Sequence, residues 1–139
     1  MKLSGIEIRN QFNTWLIAWN DHDLNGVMDF MHDDIIFNSW SGAIISGKTA
    51  LTKSWERWFS DHQNFKFTLE DLIIDENEQK MSFSWELDWP SFEKKYSGKR
   101  EKRKGVDVLL LKEGKIYKKN SYSKTTLQID SLKVGLQAL

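Results

Sequence analysis

Large apolar side chains alternate with polar ones without interruption from residue 80 to residue 89. The apolar positions are Met81, Phe83, Trp85, Leu87 and Trp89. Because successive side chains of a β-strand point to opposite faces, this alternation predicts a strand with one apolar and one polar face. Complete burial of each large apolar side chain stabilises a fold by roughly 1.5–3 kcal/mol, so other parts of the chain must cover that face.

Composition limits the chain to one ordinary globular domain. Its 139 residues, of which 40% are hydrophobic, suffice for one core and are too few for two ordinary domains. We therefore expect a single domain over residues 1–139, with a core at about 5–127 and a C-terminal tail at 128–139.

The sequence contains no cysteine, which excludes disulfides, thiolate metal sites and a cysteine nucleophile. No stretch approaches the roughly 18 apolar residues of a membrane span, and the first residues lack the apolar run of a signal peptide. We expect a cytoplasmic protein without membrane contact.

Helical periodicity dominates the N-terminal part of the chain. Apolar residues over 8–19 recur at helical spacing and predict a helix that ends near Asn20. The segment Asp21-His22-Asp23 offers an N-cap for a short second helix that extends to Met31, and a third helix should begin at residues 46–47. Between the second and third helices, we expect Asp33-Asp34 to break the structure and residues 35–37 and 40–45 to be extended.

From Phe65 onward, apolar residues recur at every second position instead of at helical spacing. Apolar residues alternate on one face as far as Leu69 and continue on the other face from Leu72, which predicts a bulge near Glu70-Asp71. Turn residues separate the further expected strands, at 81–89, 101–112 and 115–127. This order predicts an α+β domain in which a curved antiparallel sheet packs against three N-terminal helices.

Charge is unevenly distributed along the chain. Residues 1–92 carry 15 acidic and 7 basic side chains, whereas residues 93–139 carry 5 acidic and 13 basic ones. The basic run at 94–104 is compatible with a phosphate or nucleic-acid patch, or with a solvated hairpin tip. We favour the hairpin and do not expect nucleic acid as a partner, because only Phe92 and Tyr96 could stack on bases.

Several segments together resemble the nuclear transport factor two-like superfamily, and its SnoaL-like branch in particular. The resemblance is carried by helix caps and turns, at residues 15–24, 33–34, 46–51 and 113–116, followed by Tyr122. It implies a cone-shaped, cystatin-like α+β barrel, in which a strongly curved antiparallel sheet wraps around the helices and leaves an apolar pocket. Members include isomerases, cyclases and hydrolases of small hydrophobic molecules as well as non-catalytic modules, so fold alone does not decide the activity.

Ketosteroid isomerases of this superfamily use two carboxyl groups and a tyrosine. The resemblance places the two carboxyl groups at Ser39 and Asp107 and the tyrosine at Trp15. Of these three positions, only Asp107 keeps the chemistry of the family residue. Serine is a poor proton-abstracting base, and an indole N–H is a weaker donor to an oxyanion than a phenol. We therefore do not expect an ordinary ketosteroid isomerase, whereas Asp107 remains the candidate catalytic residue of a SnoaL-like cyclase or isomerase.

Two orientations of Asp107 are compatible with the sequence. If it shares a pocket-lining face with Leu109 and Leu111, burial would leave it able to exchange a proton near neutral pH. Alternatively, Val106 and Val108 face the core and Asp107 points to solvent or pairs with a lysine. Our hypothesis is that Asp107 is a pocket acid.

Aromatic residues supply most of the other candidates for a ligand pocket. The seven tryptophans either fill the core or stack on an aromatic or polycyclic ligand, and His62 either faces the ligand or ends the third helix as a cation. Which of the alternating residues of the last strand face inward depends on a register that sequence does not settle. The expected pocket residues are Trp15, Trp19, Phe37, Trp40, Trp58, His62, Trp85, Trp89, Asn120 and Tyr122.

Two functions are open at this point. The first is an enzyme that carries out proton transfer, such as cyclisation or isomerisation, on a hydrophobic small molecule, with Asp107 as acid or base. The second is a non-catalytic module that binds a ligand or forms a homodimer through the sheet, as the two-sided apolar character of residues 106–111 suggests. We find no motif for a metal ion or a cofactor and expect neither.

Overall fold

The computed structural model describes residues 1–136, which form three α-helices, a short 3₁₀-helix at Lys94–Tyr96 and eight strands. The helices are α1 (Gly5–Asn20), α2 (Leu24–Met28) and α3 (Lys48–Asp61). The strands are β1 (Met31–Asn38), β2 (Ile44–Ser46), β3 (Lys66–Asp75), β4 (Lys80–Pro90), β5 (Arg100–Lys112), β6 (Lys115–Ser123), β7 (Thr126–Ile129) and β8 (Leu132–Gly135). Within residues 1–136, no helix has the length and apolarity needed to cross a bilayer.

All eight strands belong to one strongly curled sheet, in the order β2-β1-β6-β5-β4-β3, with β7 beside β5 and β8 beside β7. The expectation of a purely antiparallel sheet needs correction, because β1 runs parallel to β6. The two strands come from opposite ends of the chain, so no hairpin constrains them to run antiparallel. The remaining pairs in the described part of the chain are antiparallel, and the α+β class is confirmed.

Helix α1 covers the concave face of the sheet, as its periodicity predicts. Ser4 and Glu7 form a capping box that satisfies backbone groups of the first turn. Ile8, Phe12 and Trp15 are buried on the side that faces the sheet, and α1 packs directly against β3.

The second helix is shorter than predicted, and the break expected after it is absent. Helix α2 begins after the N-cap Asp23, the last residue of the predicted capping segment 21–23, but ends at Met28, and Met31 is the first residue of β1. Asp33 and Asp34 lie inside this strand with exposed side chains. In the sequence, Met31 lies at helical spacing from Leu24, Val27 and Met28. In the structure it is buried in β1, where pairing with β6 gives the backbone an extended conformation.

The alternation from residue 80 to residue 89 forms β4, and its five apolar side chains are all buried. The predicted bulge in β3 is confirmed, since the register with β4 shifts between Leu69 and Asp71. Strand β6 ends earlier than expected, at Ser123, and the chain continues as the β7–β8 hairpin. Leu127 and Ile129 of β7 are buried, so part of the expected C-terminal tail contributes to the sheet.

Basic side chains of β5 find acidic partners on β3 and β4. Lys104 lies 3.5 Å from Glu70, and Arg100 pairs with Asp88. Cross-strand pairing therefore brings the positive half of the sequence against its negative half.

Gly105 on β5 leaves room for the indole of Trp85 on β4. The two residues lie opposite each other in the β4–β5 register. A Cβ atom at position 105 would come within 2.3 Å of both the Trp85 ring and the Tyr122 carbonyl oxygen. The missing side chain thus lets the indole lie across β5.

Substitution Gly105→Ala should therefore lower the free energy of unfolding by roughly 1–3 kcal/mol, since neither the backbone nor the buried ring can move aside freely. The matched control is Gly135→Ala, also in a strand, where no described atom lies within 4 Å of the new Cβ. Urea denaturation of both variants checks this, and equal stabilities would contradict the packing described.

Candidate functional site

A small cavity lies between the concave face of the sheet and α1. The space open to the centre of a water molecule is about 50 Å³. One water needs roughly 10–15 Å³ on this scale, so the cavity has room for about one aromatic ring. Its lining is almost entirely apolar and consists of Phe12, Trp15, Leu16, Trp19, Trp40, Phe67, Leu69, Phe83, Trp85, Asp107 and Lys119.

Asp107 faces this cavity and is only 2% exposed. The buried side chains of Leu109 and Leu111 lie on the same face, whereas Val108 is 37% exposed on the opposite, convex face. Of the two orientations open to the sequence, the structure therefore has the inward one. The pleat of β5 explains it, because residues 107, 109 and 111 share one side of the strand.

Both oxygens of the Asp107 carboxyl group have donors. Trp85 Nε1 donates to Oδ1 at 3.0 Å, and Lys119 Nζ lies 2.6 Å from Oδ2. The side chain thus accepts on both oxygens, as an ionised carboxylate does.

Lys119 was not predicted as a site residue, although it is the cation of the buried pair. Its Nζ also donates to Ser121 Oγ at 2.8 Å and lies 4.8 Å from the centre of the Phe37 ring. The available signal was the alternation of Lys119 with Ser121 in β6. The register of β5 and β6 shifts at Leu110/Leu111, and this irregularity is not visible in the sequence.

Asn120 and Tyr122 are therefore not pocket residues, in contrast to the sequence expectation. Both point to the convex face, opposite Val108 and Val106 respectively in the β5–β6 register. Asn120 Oδ1 accepts a hydrogen bond of 2.6 Å from Asn38, and the Tyr122 side chain is 57% exposed.

Of the remaining predicted pocket residues, four line the cavity and four do not. Trp15, Trp19, Trp40 and Trp85 line the cavity beside Asp107. Phe37 lies behind Lys119 and contacts Trp55. In contrast, Trp58, His62 and Trp89 stack on one another outside the cavity lining, with a distance of 4.5 Å between the rings of His62 and Trp89.

Burial keeps His62 neutral at the end of α3. Desolvation lowers its pKa from 6.5 to about 4, although the negative charges of Asp61 and Glu101 act in the opposite direction. Its Nδ1 atom is buried and has no hydrogen-bond partner within residues 1–136. At neutral pH, His62 therefore carries no charge that could interact with the helix dipole.

A second buried ion pair holds the rim of the cavity. The Arg103 guanidinium lies beside the rings of Trp40 and Trp89, at 5.2 and 5.7 Å, and donates to Glu101 at 3.0 Å and Glu93 at 2.8 Å. Glu101 is completely buried and also accepts from Ser91 and Trp89. In the sequence Arg103 belongs to the basic run, but its position four residues before Asp107 places it on the same inward face.

Acidification should destabilise the protein through His62. The unfolded chain protonates this histidine near pH 6.5, whereas the folded protein resists protonation down to about pH 4. The unfolded state therefore binds more protons between these values, and the free energy of unfolding should fall by at most about 3 kcal/mol as the pH decreases through this range.

Urea denaturation at several pH values, compared between the wild type and His62→Phe, isolates this contribution. The phenylalanine keeps an aromatic ring in the stack but cannot titrate. We expect the variant to lose less stability than the wild type between pH 6.5 and pH 4. Parallel pH profiles would show that His62 does not account for the effect.

Comparisons with known proteins identify the family. The sequence model of the SnoaL-like domain matches residues 12–119. No curated protein is similar enough in sequence to count as a match.

Among the residues described, no three histidine or acidic side chains are grouped as metal ligands would be.

Solved structures share the fold at low sequence identity. TsrD from Streptomyces laurentii has a TM-score of 0.73 at 18% identity, over 88% of this chain and 92% of its own. TerC, co-crystallised with polyporic acid, reaches 0.71 at 12% identity, over 86% and 92%. A candidate polyketide cyclase from Xanthomonas campestris pv. campestris reaches 0.71 at 14% identity, over 85% and 90%.

At such identities these similarities concern the fold alone. They confirm the cone-shaped α+β architecture that the sequence resemblance implied. The same architecture recurs in a nuclear transport factor two-like protein from Burkholderia xenovorans LB400, with a TM-score of 0.67 at 17% identity, over 85% of this chain and 83% of that one. Because the family model covers most of the sequence, this chain belongs to the SnoaL-like domain family.

Proposed function

We propose that this SnoaL-like protein binds a small hydrophobic molecule with an aromatic ring in the cavity on the concave face. The observation that carries the proposal is a concave space with aromatic walls and one buried ion pair. Binding sites for small molecules typically combine an apolar lining with a few polar groups that orient the ligand. The ion pair of Asp107 and Lys119 supplies those groups.

Proton transfer is the chemistry that such a site supports best. In this proposal Asp107, as a carboxylate, removes a proton from a carbon beside a substrate carbonyl, and the electrons of the C–H bond move to the carbonyl oxygen as an enolate forms. Return of the proton to another carbon completes an isomerisation. Alternatively, attack of the enolate carbon on a second carbonyl forms a ring, and the resulting alkoxide takes the proton back from Asp107. The resemblance in fold to a candidate polyketide cyclase is compatible with the second reaction.

Ser39 does not serve as a second base in this scheme. It lies in the turn after β1, where its Oγ accepts from the backbone and hydroxyl of Ser41, and it is not part of the cavity lining. The proposal therefore differs from the two-carboxylate arrangement of ketosteroid isomerases.

Narrowing the cavity should weaken binding. Leu16 contributes to the cavity wall, whereas its neighbour Ile17 is 60% exposed on the other side of α1. Titration with single-ring aromatic compounds should produce a saturable change in tryptophan fluorescence. We expect Leu16→Phe to raise the dissociation constant at least about tenfold, which corresponds to roughly 1.4 kcal/mol.

The matched control is Ile17→Phe, which adds the same ring outside the cavity and should bind like the wild type. Absence of saturable binding to the wild type, or equal affinities of both variants, would contradict the proposed ligand site.

Homodimerisation through the convex face is a second candidate function. Tyr122 and Val106 line a groove of about 420 Å³ on this face, where Tyr122 is 57% exposed and Val106 is half-buried. The groove also carries both signs of charge, from Glu70, Lys104 and Lys124. A second copy of the chain is the occupant that we propose, because a two-fold interface is self-complementary and can match a face of mixed charge.

Light scattering at micromolar concentration should then give the mass of a dimer. Substitution Tyr122→Glu should convert it to a monomer by placing a negative charge in the apolar contact. Ile17→Glu, at an exposed position of α1, serves as the control and should remain dimeric. A monomeric wild type would exclude this candidate without affecting the ligand site.

A further inference from the structure

We infer that Trp40 sets the upper size limit of the ligand, so that the cavity accepts a single aromatic ring and excludes two fused rings. This inference rests on the proposed ligand site and assigns its size selection to one side chain. The place of Trp40 in the fold and the groups around its indole support this role.

Trp40 is the wall of the cavity that comes from a turn. The other lining residues in the described part of the chain belong to α1 or to strands of the sheet. Two backbone hydrogen bonds close the turn between β1 and β2, from Ser39 N to the Ala43 carbonyl oxygen at 2.9 Å and from Gly42 N to the Ser39 carbonyl oxygen at 3.0 Å. The turn therefore holds its own shape and presents the indole to the cavity without a sheet ladder at this position.

Three neighbouring groups fix the position of the Trp40 indole. Its ring centre lies 5.5 Å from that of Trp85 and 6.1 Å from that of Trp89, and the Arg103 guanidinium lies 5.2 Å from it. Arg103 is only 4% exposed and donates to the buried Glu101 at 3.0 Å, so it does not move aside without breaking that ion pair. Cation–π and aromatic contacts both favour the indole in this place. A ligand in the cavity therefore meets Trp40 as a fixed wall.

The volume of the cavity matches one ring and not two. The space open to the centre of a water molecule is about 50 Å³, which is room for about one aromatic ring. If there were space for a second ring, its burial would remove further apolar surface from water and tighten binding. With the indole in place, the second ring must either overlap the wall, which is unfavourable in a packed interior, or remain in water.

Removal of the Trp40 indole should extend the cavity outward rather than leave a hole in the core. Trp40 is half-buried, and its turn borders open space, since no described atom lies within 4 Å of a Cβ atom placed at Gly42. In contrast, Trp15 and Trp85 are only 3% exposed, and their truncation would leave cavities in the core and lower stability. Trp40 is thus a large aromatic wall whose loss can change the accepted ligand size while the fold is kept.

Phenol and 2-naphthol test this role in calorimetric titrations of the full chain, because they carry the same hydroxyl group on one ring and on two fused rings. We expect the wild type to bind phenol at least about tenfold more tightly than 2-naphthol, since the second ring finds no space. Trp40→Ala should reverse the order and bind 2-naphthol at least about tenfold more tightly than phenol, since the vacated space buries the second ring.

Trp58→Ala is the matched control. Trp58 is likewise half-buried and contacts Trp89, with 5.8 Å between the ring centres, but it lies outside the cavity lining. This variant should keep the wild-type preference for phenol. Trp40→Phe replaces the two-ring indole by a single ring, should give an intermediate ratio of affinities, and remains informative if Trp40→Ala does not fold.

The outcomes distinguish this inference from the proposed function. Three results would overturn the inference and leave the ligand site in place: wild-type binding of 2-naphthol as tight as that of phenol or tighter, an unchanged preference in both Trp40 variants, or the same reversal in Trp58→Ala. Failure of both probes to bind the wild type and Trp40→Ala would contradict the ligand site itself and the inference with it.

Discussion

The ion pair between Asp107 and Lys119 is the interaction on which the interior of this protein depends. Removing two charges from water is costly, and their attraction offsets that cost only when the remaining hydrogen-bonding capacity is also used. Here Trp85 and Ser121 bond to the pair, and the aromatic faces of Phe37 and Trp55 surround the ammonium group. Loss of one partner from such a pair typically costs about 3–5 kcal/mol, so the two residues are structural as well as part of the candidate site.

The strand arrangement that produces this pair also determines the shape of the cavity. The bare backbone at Gly105 accommodates the Trp85 ring, whose N–H reaches Asp107 two residues further along β5. Closer to the start of the strand, Arg103 lies beside the rings of Trp40, which lines the cavity, and Trp89. The inward-facing residues Arg103, Gly105 and Asp107 of β5 thus contact Trp40, Trp85 and Lys119 respectively.

Local patterns predicted the parts of the fold that depend on one segment alone. The periodicity of α1, the bulge of β3 and the alternation of β4 are all visible in sequence, because each reflects which side of a single element is buried. The full length of β1 and the inward position of Lys119 depend on pairing between distant segments. The parallel pairing of β1 with β6 determines the length of β1, and the irregularity at Leu110/Leu111 determines which residues of β6 face inward. Neither pairing is visible in the sequence of a single segment. Asp107 was identified as a candidate from its resemblance to a family position, whereas its orientation required the structure.

A crystal structure of the protein soaked with a single-ring aromatic ketone is the most direct test of the central claim, which is that the concave cavity is a ligand site organised by the buried ion pair. We predict electron density for the ring among Trp15, Trp40 and Trp85, with the ketone oxygen at hydrogen-bond distance, about 3 Å, from Lys119 Nζ. A ligand bound only on the convex face, or an unchanged cavity in crystals that contain saturating ketone, would contradict the account.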